Sequence, residues 1–410
     1  MATPLMKFLV VLLLVASGVF AQDARVNQIE KGLRPAFVIE GQPEPRWSIE
    51  ERMAHYSVPG VSVAVIENGK IAWAKGYGVL QVGEKQPVTV ETLFQAASIS
   101  KPVAALATLR LVAQGKLSLD EDVNLKLRKW KVPAHQYRKP VTLRGIMSHS
   151  AGLTVHGFRG YARGEAVPSL VNVLNGESPA NSAAVRVDIE PGSQWRYSGG
   201  GYSVMQQLVE DVTGEPFAAV VKRLVLDPAA MRHSTYEQPL PPRFHDVAAR
   251  GHLASGKMVT GEWHTYPEQA AAGLWTTPSD LATILIQMQK AAAGDQALLP
   301  AAIFREMSKF QSKSYGLGWG LSGSGGNLGV GHGGSNAGFK CEAFAYLGRG
   351  QGAVVMTNGD RGAQLGAEIF RAIAAAYGWP DRKVEIRKTA DSQADKMAEL
   401  RGGRFLHPTR

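Results

Sequence analysis

The 410-residue chain contains a single cysteine, Cys341, so no internal disulfide braces it and its fold must rest on a hydrophobic core. A chain of this length can bury enough surface to manage that. Beyond the N-terminal leader no apolar run is long enough to cross a bilayer, which excludes a permanent membrane span. The ten histidines include no His-Glu-x-x-His pair, so a zinc-peptidase site has no support and no metal or cofactor is expected. Gly-x-Ser-x-Gly is also missing. Its nearest approach, Gly60-Val61-Ser62-Val63-Ala64, reads as a strand, which disfavours an α/β-hydrolase. Lys and Arg outnumber Asp and Glu by 45 to 35, but they are scattered, so the net charge of +10 suits an anionic wall or lipid setting and leaves no nucleic-acid footprint.

With 45% apolar and 20% charged residues, the chain is globular, one large domain or two moderate ones, and disorder is excluded. Its start has the marks of an export signal. Lys7 supplies the positive flank, Phe8 to Val15 the apolar core, and Val19-Phe20-Ala21 a small-residue cleavage site before Gln22. No cysteine lies at that point to carry a lipid. The expected organisation is a signal peptide over 1–21, a lead-in over 22–48, a folded domain over 49–380 and a charged, loosely held tail over 381–410. An exported, periplasmic location follows.

Within the domain, Asn68-Gly69 between Gly60–Ile66 and Lys70–Tyr77 predicts a β-hairpin. Lys101 to Gln114 has helical spacing, with Leu106, Leu109 and Val112 on one face and Gly115 as the stop. Met205, Leu208, Val209 and Val212 predict a second helix ending at Gly214. A third begins at the cap Thr277 with Pro278 in its first turn. Strand patterns return over Gly338–Leu347 and Gly352–Thr357, followed by a helix over Ala363–Tyr377. Strands at both ends with helices between them predict one sheet built from both termini and a helical insertion. Cys341 sits in an alternating stretch and reads as packed rather than catalytic.

Three local constellations could carry chemistry. Ser98-Ile99-Ser100-Lys101 lies where a strand-rich segment gives way to a helix, so Ser98 and Lys101 share a face and can touch. A lysine of lowered pKa could relieve the serine of its proton, and a helix N-terminus favours both effects. Read alone, Ser98 serves equally well as a helix cap and Lys101 as a solvated side chain. Arg196-Tyr197-Ser198-Gly199-Gly200-Gly201-Tyr202 offers a tyrosine as general base beside backbone that a ligand can approach, and alone it reads more readily as a buried tyrosine at a glycine-rich helix start. In Gly331-His332-Gly333-Gly334-Ser335-Asn336, bare backbone at a sheet edge could supply half of an oxyanion hole, and His332 either meets substrate or packs.

In this order, Ser-x-x-Lys, Tyr-Ser-Gly and His-Gly-Gly resemble the serine β-lactamase and penicillin-binding-protein superfamily, and more narrowly its class C β-lactamase-related branch of family VIII esterases and D-stereospecific peptidases. Leu143 to Leu153, Gly115 to Val123 and Ala272 to Leu281 match that branch as well. The resemblance covers Ile49 to Trp379. It implies an α+β fold of the β-lactamase/transpeptidase type: a mixed α/β sandwich with an antiparallel sheet, an all-helical region, and the site between them. It also implies Ser98 as the acylated nucleophile, Lys101 as its proton partner and Tyr197 as the base. The backbone N–H groups of Ser98 and Ser335 would form the oxyanion hole, and His332, Gly333, Gly334 and Gly199 would meet substrate. Two positions depart from the pattern. Gly199 stands in place of the Asn of Tyr-x-Asn, and His332 in place of the Lys of Lys-Thr-Gly. Both changes leave the acylation groups intact and weaken recognition of an amide and of a carboxylate. The expected activity is therefore an acyl-enzyme serine hydrolase acting on small esters or amides. A β-lactamase or D-Ala-D-Ala carboxypeptidase, acting on a β-lactam or cell-wall peptide, is the rival, and a non-catalytic wall-binding or sensor protein is the third reading.

Overall fold

The computed structural model describes residues 22–295 and 297–388. The expected signal peptide and residues 389–410 of the charged tail lie outside them. Asn68 and Gly69 both take positive φ, 53° and 68°, as a two-residue type I′ turn demands, and they join β2 (Gly60–Glu67) to β3 (Lys70–Gly78). Four later strands complete an antiparallel sheet: β6 (Gly320–Ser322), β7 (Gly329–Asn336), β8 (Phe339–Tyr346) and β9 (Gly352–Thr357). The order β3-β2-β9-β8-β7-β6 places the N-terminal hairpin directly against the last strand of the C-terminal set, so the sheet is built from both ends of the chain.

Both faces of this sheet are covered, which is why β2 and β9 read as almost continuous apolar runs. Val61, Val63 and Val65 pack with Ile369 and Ile373 of α7 (Gly362–Ala376), while the alternate residues Ala64 and Ile66 join the core that holds Ile284 and Leu285 of α6 (Pro278–Ala293). Thr277 caps α6 by accepting the Asp280 N–H at 3.1 Å, with Pro278 in the first turn. Outside the α7 face lies α1 (Ile49–Tyr56). Its capping box pairs the Glu51 N–H with Ser48 Oγ at 3.1 Å and the Ser48 N–H with Glu51 Oε2 at 2.7 Å.

The helical region comprises α2 (Ser100–Ala113), α3 (Leu143–Met147), α4 (Gly199–Thr213) and α5 (Gln269–Ala272), among shorter turns and loops. Leu106, Tyr202 and Val204 belong to the same core as the α6 face of the sheet, so the two regions form one packed body. Two short pairings complete it. β4 (Phe94–Gln95) pairs antiparallel with β5 (Trp275–Thr276), and β1 (Phe37–Ile39) pairs parallel with β10 (Glu385–Arg387), at the start of the charged C-terminal stretch.

One helix starts earlier than its apolar spacing predicts. Gly199, Gly200 and Gly201 form the first turn of α4, because Ser198 Oγ accepts the Gly201 N–H at 2.9 Å and nucleates the helix there. A Cβ at Gly200 would lie 2.7 Å from the Thr154 carbonyl oxygen, so glycine lets a loop pack against that turn. Among the described residues, no helix is long and apolar enough to cross a membrane.

Candidate active site

Between the sheet and the helical region, a 3-10 turn over Ala97–Ile99 leads into α2. Ala97 has φ 49°, a left-handed conformation that costs a non-glycine residue about 1–2 kcal/mol. The turn is held from several directions. Ser100 Oγ donates to the Ala97 carbonyl at 2.5 Å and accepts the Leu274 N–H at 2.9 Å, while the Tyr236 hydroxyl donates to the Ser100 carbonyl at 2.6 Å. Such over-determined strain fixes the residue that follows, Ser98, whose side chain caps no helix.

Ser98 Oγ instead lies 3.0 Å from Nζ of Lys101, one helical turn away. Lys101 is 2% exposed, and its ammonium group also donates to the Ala271 carbonyl of α5 at 2.8 Å. Burial pushes its pKa down to about 7, so near neutrality a large fraction of the amine is unprotonated and able to accept a proton. Tyr197 lies against the same two groups: its phenol hydrogen-bonds Ser98, and the Lys101 Nζ sits 4.9 Å from its ring centroid. Burial pushes the Tyr197 hydroxyl well above its ordinary range, although the Ser98 hydrogen bond opposes the shift. Burial thus favours the protonated phenol at neutral pH and the unprotonated amine of Lys101.

The third constellation forms β7 itself, and this strand packs against the turn that carries Ser98. A Cβ on Gly334 would collide with the Ala96 carbonyl oxygen and with Cys341 Sγ, so only glycine lets the strand lie this close. Ser335 follows at the exposed end of the strand, opposite Lys340 in the register. Asn336 locks that end, donating through Nδ2 to Gln95 Oε1 at 2.8 Å and to the Ala272 carbonyl at 3.2 Å. Cys341 donates to the Ala96 carbonyl at 3.0 Å, and its thiol is pushed up by burial, so it supports the site as packing. His332 is buried, its Nδ1 is 2.6 Å from the Gly333 carbonyl, and its ring centroid lies 6.3 Å from that of Tyr197.

A family profile for β-lactamases matches residues 48–378. The chain belongs to the β-lactamase family. It is 30% identical over 233 residues to the esterase EstB of Burkholderia gladioli, covering 54% of this chain and 58% of that one. It is 26% identical over 231 residues to the protein flp of Staphylococcus aureus strain N315, covering 56% and 44% respectively. The alignments thus span about half the length of these curated relatives. Among solved structures, the octameric penicillin-binding-protein homologue from Pyrococcus abyssi superposes with a TM-score of 0.68 at 25% identity, covering 80% of this chain and 76% of that one. The β-lactamase/D-alanine carboxypeptidase from Yersinia pestis gives 0.63 at 17% identity over 80% and 96%, a likeness of fold. The mixed α/β architecture with its antiparallel sheet is that of the β-lactamase/transpeptidase group.

Gly199, which stands in place of the Asn of Tyr-x-Asn, is closely packed. Its N–H donates to the His156 carbonyl at 3.0 Å, and a Cβ would lie 3.1 Å from that oxygen and 3.2 Å from Phe158. The 156–158 loop thus crowds the position from which the family's asparagine would project. Three further contributors to the site stand outside the three motifs. His149 packs on the Tyr197 ring, His156 sits 5.0 Å from it between ring centroids, and the Ala271 carbonyl anchors Lys101. His149 falls within the Leu143 to Leu153 stretch that resembles relatives, which was the available signal. A backbone carbonyl leaves no signal in a sequence.

Proposed function

We propose that this protein is an exported serine hydrolase that cleaves small esters or amides through an acyl-enzyme on Ser98. The observation that carries this reading is the buried Lys101 amine, 3.0 Å from Ser98 Oγ and with its pKa lowered to about 7. Ser98 Oγ attacks the substrate carbonyl carbon as its proton passes to the neutral Lys101 amine. The backbone N–H groups of Ser98 and Ser335 receive the negative charge that develops on the carbonyl oxygen. Collapse of the tetrahedral species expels the alcohol or amine, which takes its proton from Lys101 through Tyr197. Water then attacks the acyl carbon, gives a proton to the same relay and frees Ser98. His332, Gly333 and Gly334 border the acyl group along β7. The esterase among the relatives, the crowding at Gly199 and a histidine in place of a fixed cation favour esters over β-lactams. The apolar leader over Phe8 to Val15 supports export to the periplasm.

The test is intact-mass spectrometry after exposure to a fluorophosphonate and, separately, to benzylpenicillin, alongside turnover of p-nitrophenyl butyrate. The expected result is a fluorophosphonate adduct that Ser98→Ala abolishes, together with ester turnover that falls to background in the same folded variant. Unchanged turnover in Ser98→Ala would overturn the assignment. A stable benzylpenicillin adduct without ester turnover would move the protein to the penicillin-binding reading.

A further inference from the structure

Across the sheet from Ser98, the C-terminal end of α7 and the β1–β10 pair enclose a cavity of about 390 Å³. Four cationic side chains line it, Arg34, Arg371, Arg382 and Lys383, against two carboxylates, Glu44 and Asp381. Asp381 is engaged outside the cavity, whereas Glu44 is shared between the lining Arg34 and Arg46. Glu44 lies 3.2 Å from Arg46 as well as 3.5 Å from Arg34, and Asp381 accepts the Tyr346 hydroxyl. Arg382 pairs with the buried Glu342.

Arg371 differs from the rest. Its Nε donates to the Arg34 carbonyl at 2.9 Å, but among the described residues no carboxylate lies within ion-pair distance of it. The acidic groups that it feels, Glu368 and Glu342, are paired with Arg52 and Arg382. Burial lowers its affinity for a proton, although a guanidinium stays charged regardless. A largely buried cation without a counter-ion is costly unless an anion completes it. Two more donors nearby have no acceptor among the described residues, the Arg34 Nε and the indole Nε1 of Trp379, which is 3% exposed.

These cations are not there to cap the last turn of α7. The Ile373 and Ala374 carbonyls accept the N–H groups of Tyr377 and Trp379, and the Tyr377 carbonyl accepts Gln351 Nε2 at 2.8 Å. The remaining wall is apolar, with Val38, Ala374 and Trp379 inside and Ile386, 70% exposed, at the rim. The volume is that of an ordinary small-molecule site.

We infer that this cavity binds a small organic oxyanion, a carboxylate or phosphate monoester, with its charged head on Arg371 and Arg34 and its apolar body against Val38 and Trp379. Planar guanidinium groups suit both head groups, and the apolar wall separates such a ligand from a bare inorganic ion. The site is independent of the acylation reading, because it lies on the opposite face of the sheet from Ser98.

Isothermal titration of the full chain with phenyl phosphate, benzoate, inorganic phosphate and phenol tests the head and the body separately. Saturable one-to-one binding of phenyl phosphate or benzoate is expected, tighter than inorganic phosphate or phenol, and whichever head group binds more tightly identifies the source. Arg371→Gln should weaken it at least about tenfold, the loss of one charge-assisted contact, and Lys383→Glu at the exposed rim should also weaken it without touching the core. Absence of saturable binding by either aromatic anion up to roughly 10 mM would overturn the proposal. So would binding that both variants leave unchanged, or that competes with ester turnover, since either result would place the anion elsewhere.

Discussion

The imidazole of His149 lies against the ring of Tyr197, with centroids 4.2 Å apart and planes 33° from parallel. The same histidine accepts the Ser198 N–H through Nδ1 at 3.1 Å, so it holds both the ring of Tyr197 and the backbone just after it. Its own φ of 61° is left-handed, a strained setting that surrounding contacts must maintain. Trp195, Tyr202 and Tyr315 close the cluster around it. Its contacts with the Tyr197 ring and the Ser198 N–H give His149 a positioning role in the proposed path. His149→Ala should therefore lower kcat for p-nitrophenyl butyrate by about 10²-fold with little change in KM, because a small displacement of a proton relay is costly. His149→Asn, which can restore the acceptor for Ser198, should recover part of that loss. Equal losses in both variants, carried by KM, would rule out the positioning role.

The pH profile should report Lys101. Its folded-state pKa is lowered from 10.5 to about 7 by burial, so the unprotonated fraction falls tenfold for each unit below that value. The expected kcat/KM rises with unit slope up to about pH 7 and then levels. The same shift acts on stability. Between about pH 7 and 10.5 the unfolded chain binds the extra proton, so this group's contribution is present above 10.5 and lost as pH falls through about 7. Lys101→Met should abolish turnover and flatten that part of the stability profile. A rate profile with no inflection between pH 6 and 8 (a window of about one unit either side of the pKa) would remove Lys101 as the base.

Where local chemistry decides structure, the sequence was readable. Asn68-Gly69 dictates its turn, Thr277-Pro278 its helix start, and Ser98 to Lys101 a one-turn contact. The expected β-lactamase-like fold and the family were legible from three ordered motifs. β7 carries no strand periodicity, because Gly329, Gly331, Gly333 and Gly334 have low strand propensity, and its conformation comes from pairing with β8. The β1–β10 pair joins opposite ends of the chain and leaves no local periodicity. Between α4 and α6 the chain is tied down by isolated bridges such as Leu93 to Ala248 and Thr235 to Trp275, which are tertiary contacts without a repeating signal. His149, a single residue in a strained turn, has no period of its own, and its only signal is its place in the Leu143 to Leu153 stretch.

Restoring the family's asparagine should not restore the family's chemistry. In Gly199→Asn the new Cβ would meet the His156 carbonyl at 3.1 Å and Phe158 at 3.2 Å, and the 156–158 loop must give way before the amide can reach the cleft. The same glycine donates its N–H to His156, so displacing the loop also strains the first turn of α4. The variant should show no nitrocefin hydrolysis, a stability loss of about 1–3 kcal/mol from overpacking, and reduced ester turnover. Gain of nitrocefin turnover from this single change would show that the missing amide, rather than the loop, sets the substrate range.

Glu268 precedes α5, the short helix whose Ala271 carbonyl holds Lys101, and its own carbonyl accepts the N–H groups of Ala271 and Ala272. Its side chain is fully buried near Tyr161 and Tyr266, and among the described residues neither carboxyl oxygen accepts a hydrogen bond from another residue, its own backbone N–H giving only weak opposition. Burial pushes its pKa up from 4.5 to about 7. The folded protein therefore binds a proton that the unfolded chain releases, so the stabilising contribution is full below about pH 4.5 and is lost as pH rises through about 7. The difference amounts to about 3 kcal/mol between the two plateaus. Glu268→Gln removes the titration, so the stability gap between variant and parent should shift by that amount in the variant's favour from pH 4.5 to pH 8. Urea unfolding at both pH values measures it, and the double difference cancels any fixed cost of burying the amide. A gap that stays constant with pH would mean that Glu268 finds a partner or solvent in solution and does not hold its proton in the fold.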